Sequence, residues 1–433
     1  MATATNKLSL RAAILININI MLGSGIFTNT VLLAQLPGAL GFLVYLLVGL
    51  MLFPLIFCLA RLIQKYPDGG FYTYAAQELH PWVGFFSTWA YFTGKLASAA
   101  LSIHVFCSLM QHLFPQLNAI PIFMLDGLIL SLFTLLNLYN MRTGTIIQGI
   151  FLVLKSIPII FAIIVGFYLF KGEHLTSVHW IFKGIPLGIP FVVFAFGGFE
   201  TSCSISRSIE NPEKNGPRAL ILSFLMVIGI VCLFQFALYA SLGDLLEQSA
   251  NFKETFPALF KLWLSQDHRL YPFLVALIHI AMGISALGAS YGILFGNSWN
   301  LYTLAQHNHV FASPEIRRFN KQLIPYWCVL IEALFCVGYL LLTGGEQKTL
   351  QQLSALGSII AYSLSVVSLL YASYKGTIQV SVILPLLGLA SCIPLFIACI
   401  RNFFIFGIIP LIIFGTILIA GMLMYLTVKN TGK

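Results

Sequence analysis

The sequence has 433 residues, of which 59% are hydrophobic and 9% are charged, whereas a soluble domain usually has about 25% charged residues. This composition, with a mean hydropathy of +0.92, excludes an ordinary soluble domain and indicates a polytopic membrane protein. The net charge is +9, but the basic residues are spread over many short loops. Because a nucleic-acid site needs a contiguous basic patch with aromatic residues, we expect no nucleic-acid partner.

The N-terminal segment and the cysteines narrow the class further. The segment of residues 1–8 is short and polar, and it lacks the charged and apolar regions of a signal peptide in their usual order. We therefore expect the first span to be retained. The eight cysteines form no Cys-x-x-Cys pair, which argues against a metal site or a disulfide framework. The histidines His104, His112 and His279 lie too far apart to form a local motif. We therefore expect no cofactor, no metal and no enzyme activity.

The apolar runs predict an all-α membrane protein with twelve transmembrane helices, since about 20 apolar residues are needed for each crossing. In chain order the predicted spans are approximately 11–35, 38–63, 83–113, 121–139, 146–170, 186–206, 218–242, 271–304, 324–343, 350–373, 379–399 and 403–428.

The basic residues predict the orientation of these spans. Of the 23 Lys and Arg residues, fourteen fall on the face shared with the termini, seven fall on the other face, and two, Lys95 and Lys155, lie within spans. Because cytoplasmic loops carry an excess of Lys and Arg, we expect both termini to be cytoplasmic. The protein is expected in the plasma membrane, which is the inner membrane for a bacterial chain, and lipid is then one of its partners.

Two spans are interrupted by glycine pairs. Residues 19–27 read Asn-Ile-Met-Leu-Gly-Ser-Gly-Ile-Phe, and residues 190–200 read Pro-Phe-Val-Val-Phe-Ala-Phe-Gly-Gly-Phe-Glu. A break in a span frees N–H and C=O groups, which is tolerated only where the break faces protein or a wet cavity. Such pairs in corresponding positions indicate the midplane site of a transporter. The alternative is that the glycines only allow close helix packing.

The two interruptions open two similar halves. Spans one to five, about 11–170, and spans six to ten, about 186–373, each begin with an interrupted helix. An odd number of crossings reverses the second copy, which predicts a five-plus-five inverted repeat with broken helices 1 and 6. Spans eleven and twelve, about 379–428, are expected to be accessory helices. Residues 1–433 then form a single polytopic membrane domain.

Several motifs resemble a known family. Residues 23–27 look like the first-helix motif of the amino acid-polyamine-organocation (APC) superfamily of amino-acid permeases, and residues 194–200 look like its sixth-helix motif. Residues 210–219 are similar to the following loop, residues 155–158 resemble the fifth helix, and residues 288–305 resemble the eighth less closely. The resemblance implies a LeuT-like five-plus-five inverted-repeat fold and amino-acid transport by alternating access.

Two ionisable residues in predicted spans match this family. A mid-span charge costs about 2.5–3.5 kcal/mol on insertion scales, so each needs a reason. Lys155 in span five suits a proton carrier as the neutral amine, or replaces a bound sodium ion as the ammonium, unless it snorkels to an interface. The resemblance implies sodium independence. It also implies a role in proton coupling or gating for Glu200, whose alternative role is to accept freed N–H groups or pair with a cation.

Lys95 in span three departs from the family, which usually has a neutral residue there. It is expected either to pair with Glu200, as a third coupling or gating residue, or to contact an anionic group of the substrate. Ser98 and Ser102 follow on the same helical face. Asp126 and Glu332 lie nearer to the ends of spans and are expected to be interfacial.

The predicted substrate site combines the two interruptions. The α-carboxylate is expected on free N–H groups around Ser24, Gly25 and Ile26, and the α-ammonium on carbonyls near Phe194, Ala195 and Gly197. The whole set of candidate substrate-binding residues is Ile20, Gly23, Ser24, Gly25, Ile26, Phe194, Ala195, Phe196, Gly197 and Gly198.

Three functions agree with this site. Phe194 stands where cationic exchangers of the family often have tryptophan, and Lys95 adds positive charge, so proton-coupled uptake of neutral amino acids is favoured. An amino-acid exchanger, for acidic or cationic substrates among others, is the alternative. A sensor or subunit that keeps the fold without transport is a third possibility.

Overall fold

The computed structural model describes residues 7–431 apart from residues 68, 140, 177–180, 265 and 267. The described residues are almost entirely helical. Their β-structure is limited to two isolated bridges, Leu8–Ile209 and Phe319–Pro325. The first half of the chain contains the α-helices α1 (Leu10–Met21), α2 (Ser24–Gln35), α3 (Gly41–Lys65), α4 (Phe71–Glu78), α5 (Pro81–Leu113), α6 (Ile122–Asn137), α7 (Met141–Tyr168), α8 (Glu173–Thr176), α9 (Ile185–Phe196) and α10 (Thr201–Ser204).

The second half begins with a long helix after the short α10. Its α-helices are α11 (Pro212–Leu242), α12 (Asp244–Glu247), α13 (Thr255–Leu264), α14 (Tyr271–Gln306), α15 (Ser313–Ile316), α16 (Tyr326–Thr343), α17 (Gln347–Lys375), α18 (Ile383–Phe406) and α19 (Ile409–Thr431). Single 3-10 turns stand at Gly38–Leu40, Pro115–Ala119, Phe182–Gly184, Ser206–Ser208 and Phe252–Glu254.

Within the described ranges, ten helical segments are long and apolar enough to cross a membrane, with α1 and α2 counted together as Leu10–Gln35. Two shorter apolar segments, Ile122–Asn137 and Phe182–Phe196, stand at the fourth and sixth predicted spans. Both have fewer than the roughly 20 residues that a crossing needs. The prediction of an all-helical membrane protein therefore agrees with the structure, and ten of the twelve spans meet the length criterion.

The interrupted helices lie in the interior of the bundle. Helix α1 packs against α7, α11 and α14, and α9 packs against α2, α3, α17 and α18. Helix α5 lies between α14 and α17, where it buries most of its length. Helix α19 is largely exposed along its length. The two interruptions are thus surrounded by protein, as an unsatisfied backbone in a membrane requires.

The start of the chain is tied to the end of the α9–α10 segment. The Leu8 N–H donates to the Ser208 carbonyl at 2.7 Å, and the Glu210 N–H donates to the Leu8 carbonyl at 2.9 Å. These bonds place the beginning of α1 and the loop before α11 on the same side of the bundle.

Candidate functional site

The first interruption separates α1 from α2. Helix α1 ends at Met21 and α2 begins at Ser24, with Gly23 before it in a non-helical conformation. Two carbonyls that α1 leaves without a helical partner are bound by buried side chains from other helices. Lys155 Nζ donates to the Asn19 carbonyl at 2.6 Å, and Ser285 Oγ donates to the Leu22 carbonyl at 3.0 Å. The gap in the helix is therefore held open by α7 and α14.

The second interruption separates α9 from α10. Helix α9 ends at Phe196, and Gly198 follows with φ +141°, a conformation that L side chains rarely adopt. The Gly198 N–H donates to Glu200 Oε2 at 2.7 Å, so the carboxylate stabilises the non-helical turn. The Gly197 N–H donates back to the Phe194 carbonyl at 3.1 Å. The Phe194 carbonyl, expected to meet the substrate ammonium, thus already accepts one hydrogen bond.

The two interruptions lie against each other. A Cβ atom added at Gly25 would lie 3.0 Å from Ala195 Cα and 3.0 Å from Phe194 Cε1. One added at Gly198 would lie 2.7 Å from Ile20 Cγ2. Only glycine lets the two backbones approach this closely. The N-terminus of α2 and the C-terminus of α9, with opposite partial charges, therefore meet in one place.

The predicted substrate-binding residues lie in this region and are buried, apart from Gly197, which is partly buried. Gly23 faces α14, where an added Cβ would lie 2.5 Å from Ala289 Cβ. Ser24 Oγ hydrogen-bonds Ser102 Oγ at 2.9 Å, which connects the start of α2 to α5. Ile26 is 1% exposed.

Phe196 differs from the other predicted site residues in the direction of its side chain. Its ring packs against Tyr45 and Phe224, at centroid distances of 5.8 and 5.2 Å, and is therefore part of the core between α3 and α11. Any contribution of Phe196 to a substrate site would come from its backbone.

Lys95 and Glu200 form a buried ion pair. Lys95 Nζ lies 2.7 Å from Glu200 Oε1, and the two side chains are 3% and 0% exposed. Of the two roles expected for Lys95, the structure contains the ion pair with Glu200. Tyr91, one turn before Lys95, donates its hydroxyl hydrogen to Glu200 Oε1 at 2.8 Å. Glu200 thus accepts a hydrogen bond from a freed backbone N–H and also pairs with a cation. Through these contacts it connects α5 to the second interruption.

Lys155 does not snorkel to an interface. Its side chain is 0% exposed, and its Nζ donates from α7 to the Asn19 carbonyl at the interruption of helix α1. Its neighbour in this layer is Asn19, whose Nδ2 donates to the Gly288 carbonyl at 2.9 Å and also contacts Gln148 Oε1. Lys155 is therefore a fixed donor at the first interruption.

Asp126 and Glu332, which were expected to be interfacial, are both buried within the protein, with side chains that are 0% exposed. Asp126 Oδ2 accepts from His104 Nδ1 at 2.8 Å. Glu332 lies on the face of α16 that turns toward α5 and α14. Sequence position placed both carboxyls within a turn or two of a helix end, but neighbouring helices cover them there.

Several site residues escaped the sequence analysis. Ser285 stood in a stripe of small residues in α14, which is most often a packing pattern, and Asn19 and Tyr91 are neutral. Tyr91 carried one usable signal, since it precedes Lys95 by four residues and therefore shares its helical face. Nothing in the sequence indicated that Ser285 binds the first interruption, or that Asn19 is the residue there whose carbonyl accepts from Lys155.

A small cavity lies beside the ion pair. Its volume is about 10 Å³, roughly that of one water molecule. The lining residues are Tyr91, Lys95, Thr201, Ser204, Ile293, Gly296 and Asn297. An amino acid does not fit into this space, so binding next to the pair needs a more open arrangement of the helices.

A wider cavity of about 670 Å³ lies elsewhere, near the end of α14 and the end of α19. His80, His307, His309 and Lys429 line it, and the Tyr72 hydroxyl lies 2.7 Å from His309 Nε2. Burial lowers the pKa of His309 to about 4, and electrostatic repulsion from the protonated forms of His307 and Lys429 adds to the effect. The His309 imidazole is therefore neutral at physiological pH.

The low pKa of His309 predicts a loss of stability in acid. Between pH 6.5, the usual pKa, and about pH 4, the unfolded chain binds a proton at His309 that the folded chain does not, so the free energy of unfolding falls as the pH falls. We expect His309→Gln to make this fall smaller. Unfolding followed in detergent from pH 7 to pH 4 measures it, with the exposed His268→Gln as the control. Identical pH profiles for both variants would contradict the assignment.

The chain is similar to known amino-acid permeases and transporters. The family model described as amino acid permease matches residues 8–432. The chain is 24% identical to a D-serine/D-alanine/glycine transporter of Escherichia coli (strain K12) over 333 residues, which are 72% of this chain and 67% of that one. It is 24% identical to a gamma-aminobutyric acid permease of Bacillus subtilis (strain 168) over 348 residues, covering 76% and 71%.

A further relative and a solved structure are also similar to this chain. An arginine/ornithine antiporter of Latilactobacillus sakei is 24% identical over 345 residues, covering 76% of this chain and 70% of that one. A solved structure of a Na+-coupled sialic acid symporter in a substrate-bound outward-open state superimposes with a TM-score of 0.55 at 13% identity, covering 91% and 90%, and shows a shared fold. With a family match over nearly the whole chain, the resemblance seen in the motifs is confirmed: this integral membrane protein belongs to the amino acid permeases of the APC superfamily and is not an enzyme.

Proposed function

We propose that the chain is a secondary active transporter that takes up neutral amino acids by alternating access, independently of sodium and coupled to protons. The observation that supports the proposal is Lys155 Nζ, which donates to the Asn19 carbonyl at the first interruption at 2.6 Å. As the ammonium, this side chain supplies at the freed carbonyl the positive charge that a bound sodium ion would supply, and as the neutral amine it can bind a proton. The Na+-coupled protein of the same fold shares 13% of its sequence with this chain, so its coupling ion does not transfer.

The substrate class rests on the two interruptions and on the relatives. The N-terminus of α2 offers free N–H groups at Ser24, Gly25 and Ile26 to a carboxylate. The C-terminus of α9, at Ala195 and Gly197, offers carbonyl oxygens to an ammonium. A zwitterion matches this pair of opposite helix ends, and the relatives are transporters of amino acids.

The charges near this site favour a substrate with a neutral side chain. Lys95 and Glu200 neutralise each other at 2.7 Å, and Lys155 is bound to backbone at the first interruption. A charged substrate side chain would enter the site without a free counter-charge from these three residues. Its burial would be costly for that reason.

The proposal includes the membrane architecture. We infer twelve transmembrane helices, with α6 and α9 as the short fourth and sixth, in two inverted repeats at about 11–170 and 186–373 and with α18 and α19 as accessory helices within one domain. Both termini are cytoplasmic on the charge distribution between loops. The bonds from Leu8 to Ser208 and Glu210 support a common side for the N-terminus and the loop before α11.

Exchange is the second candidate, because one relative is an arginine/ornithine antiporter. Proteoliposomes separate the possibilities. Uptake of labelled amino acids is measured with a pH gradient, with a sodium gradient, and with vesicles that are empty or preloaded with amino acid. Accumulation driven by pH in empty vesicles supports the proposal, whereas uptake only into preloaded vesicles supports exchange. No transport of any amino acid in a complete panel would favour the sensor.

Lys155→Ala is expected to lower pH-driven accumulation at least about tenfold, because a hydrogen bond to a charged group is worth roughly 1.5–3 kcal/mol. The substitution also leaves the Asn19 carbonyl without its donor. Uptake into proteoliposomes at equal reconstitution measures the effect, and Lys183→Ala, which removes an exposed lysine, is the control. Unchanged accumulation in Lys155→Ala would rule out the coupling role.

A further inference from the structure

A carboxyl group with no role in the function proposed above lies inside the protein on α16. Glu332 is 0% exposed, and within the described part of the chain neither of its oxygens has a hydrogen-bond partner. It is the seventh residue of α16, about 10 Å along the helix, so a span at this position carries it well into the roughly 30 Å hydrocarbon core. An ionised carboxylate without a partner is strongly disfavoured there. In this conformation the Glu332 carboxyl is therefore protonated.

Asn297 lies between Glu332 and the small cavity that borders Lys95. The Asn297 amide lies beside the Glu332 carboxyl without a hydrogen bond of normal geometry between them. Two bonds hold this amide: its Nδ2 donates to the Phe92 carbonyl at 3.0 Å, and its Oδ1 accepts from Asn300 at 3.0 Å. Asn297 also lines the water-sized cavity that borders Lys95.

A second contact places the face of α16 that carries Glu332 against α5. Cys336, one turn after Glu332 on α16, donates its thiol hydrogen to the Leu96 carbonyl at 3.6 Å. Leu96 is the neighbour of Lys95 in α5. This face of α16 therefore packs against α5 within one helical turn of Glu332.

The other titratable groups around Glu332 have partners or are neutral. Its own helix carries the buried thiols of Cys328 and Cys336 and the buried phenol of Tyr339. The helices packed against α16 contribute Lys95, which is paired with Glu200, and Asp126, which is paired with His104. The remaining buried titratable side chains on α14 and α17 are His279, Tyr291 and Tyr362.

We propose that Glu332 is a proton-binding site of the transport cycle: it holds a proton in this conformation, where it is buried without a partner, and releases it in a conformation that admits water to α16. The proton leaves a Glu332 oxygen and binds a water molecule, so that Glu332 becomes the carboxylate. This inference rests on the proton coupling proposed above.

The protonation of Glu332 can be observed without any transport. Infrared difference spectra of the full-length protein in detergent, recorded against pH, are expected to contain the carbonyl stretch of a protonated carboxylic acid at neutral pH. The band should lose intensity in Glu332→Gln and keep it in Glu213→Gln, which changes an exposed carboxylate. An undiminished band in Glu332→Gln would overturn the proposal.

Transport in proteoliposomes tests the role in coupling. We expect Glu332→Gln to exchange amino acids across the membrane but to lose accumulation driven by a pH gradient, while Glu213→Gln keeps both. If Glu332→Gln does not fold, Glu332→Met removes the proton site without a buried amide, and the same loss is expected. Accumulation that persists in a folded variant overturns the role of Glu332 alone. A wild-type protein that ignores the pH gradient overturns it together with the proposed coupling.

Discussion

Lys95→Met is expected to lower the free energy of unfolding by about 3–5 kcal/mol, because it leaves the Glu200 carboxylate buried without its cation. Glu200→Gln is expected to cost a similar amount, since the Lys95 ammonium then lies 3% exposed with no carboxylate beside it. The double variant, which removes both charges, should be more stable than either single variant. Thermal or denaturant unfolding of all four proteins in one detergent gives the double-mutant cycle.

Additive losses in the double variant would contradict this expectation, because they would mean that Lys95 and Glu200 act independently. Transport separates stability from function in the same set of proteins. The double variant should fold but transport poorly, since the link from α5 to the second interruption is lost. Tyr91→Phe provides a milder control, because it removes a single hydrogen bond of 2.8 Å to Glu200.

Gly198→Ala is expected to abolish transport and to destabilise the protein by about 1–3 kcal/mol for the backbone strain alone. The residue has φ +141°, and its new Cβ would lie 2.7 Å from Ile20 Cγ2 and 2.9 Å from the Met21 nitrogen. The methyl group would therefore push the two interruptions apart. Uptake and thermal unfolding are measured together on the purified variant.

Gly229→Ala is the matched control for this substitution. Gly229 lies within α11, and an added Cβ would meet no atom within 4 Å. Since alanine favours a helix over glycine, the control should be neutral or slightly stabilising and should transport normally. If Gly198→Ala transported like Gly229→Ala, the contact between the two interruptions would have no part in function.

Particular residues show how far the sequence allowed prediction of the site. The glycine pairs at 23–25 and 197–198 were recognisable because glycine in an apolar span costs stability without a structural reason. Lys155, Lys95 and Glu200 were recognisable because an ionisable residue in a span is costly. Ser285 and Asn19 were not, because a neutral polar residue in a membrane helix is common and its partner lies on another helix.

The burial of Asp126 and Glu332 could not be predicted from the sequence. A side chain near the end of one helix is buried when neighbouring helices extend past it. Both carboxyls lie on α6 and α16, which pack against the long helix α5. Burial of this kind depends on packing between helices that are distant in sequence.

The sequence by itself determined that this protein is helical and that it lies in a membrane. It also determined which spans are interrupted and which family the chain resembles, because these properties follow from local composition, spacing and motifs. The tertiary structure decided that the two interruptions lie against each other at residues 23–25 and at Gly198. It also decided that Lys95 pairs with Glu200, that Lys155 binds the first interruption, and that Glu332 is buried without a partner. Each of these depends on which helices become neighbours. That choice is made by the packing of the whole bundle, and no single segment of the chain carries it.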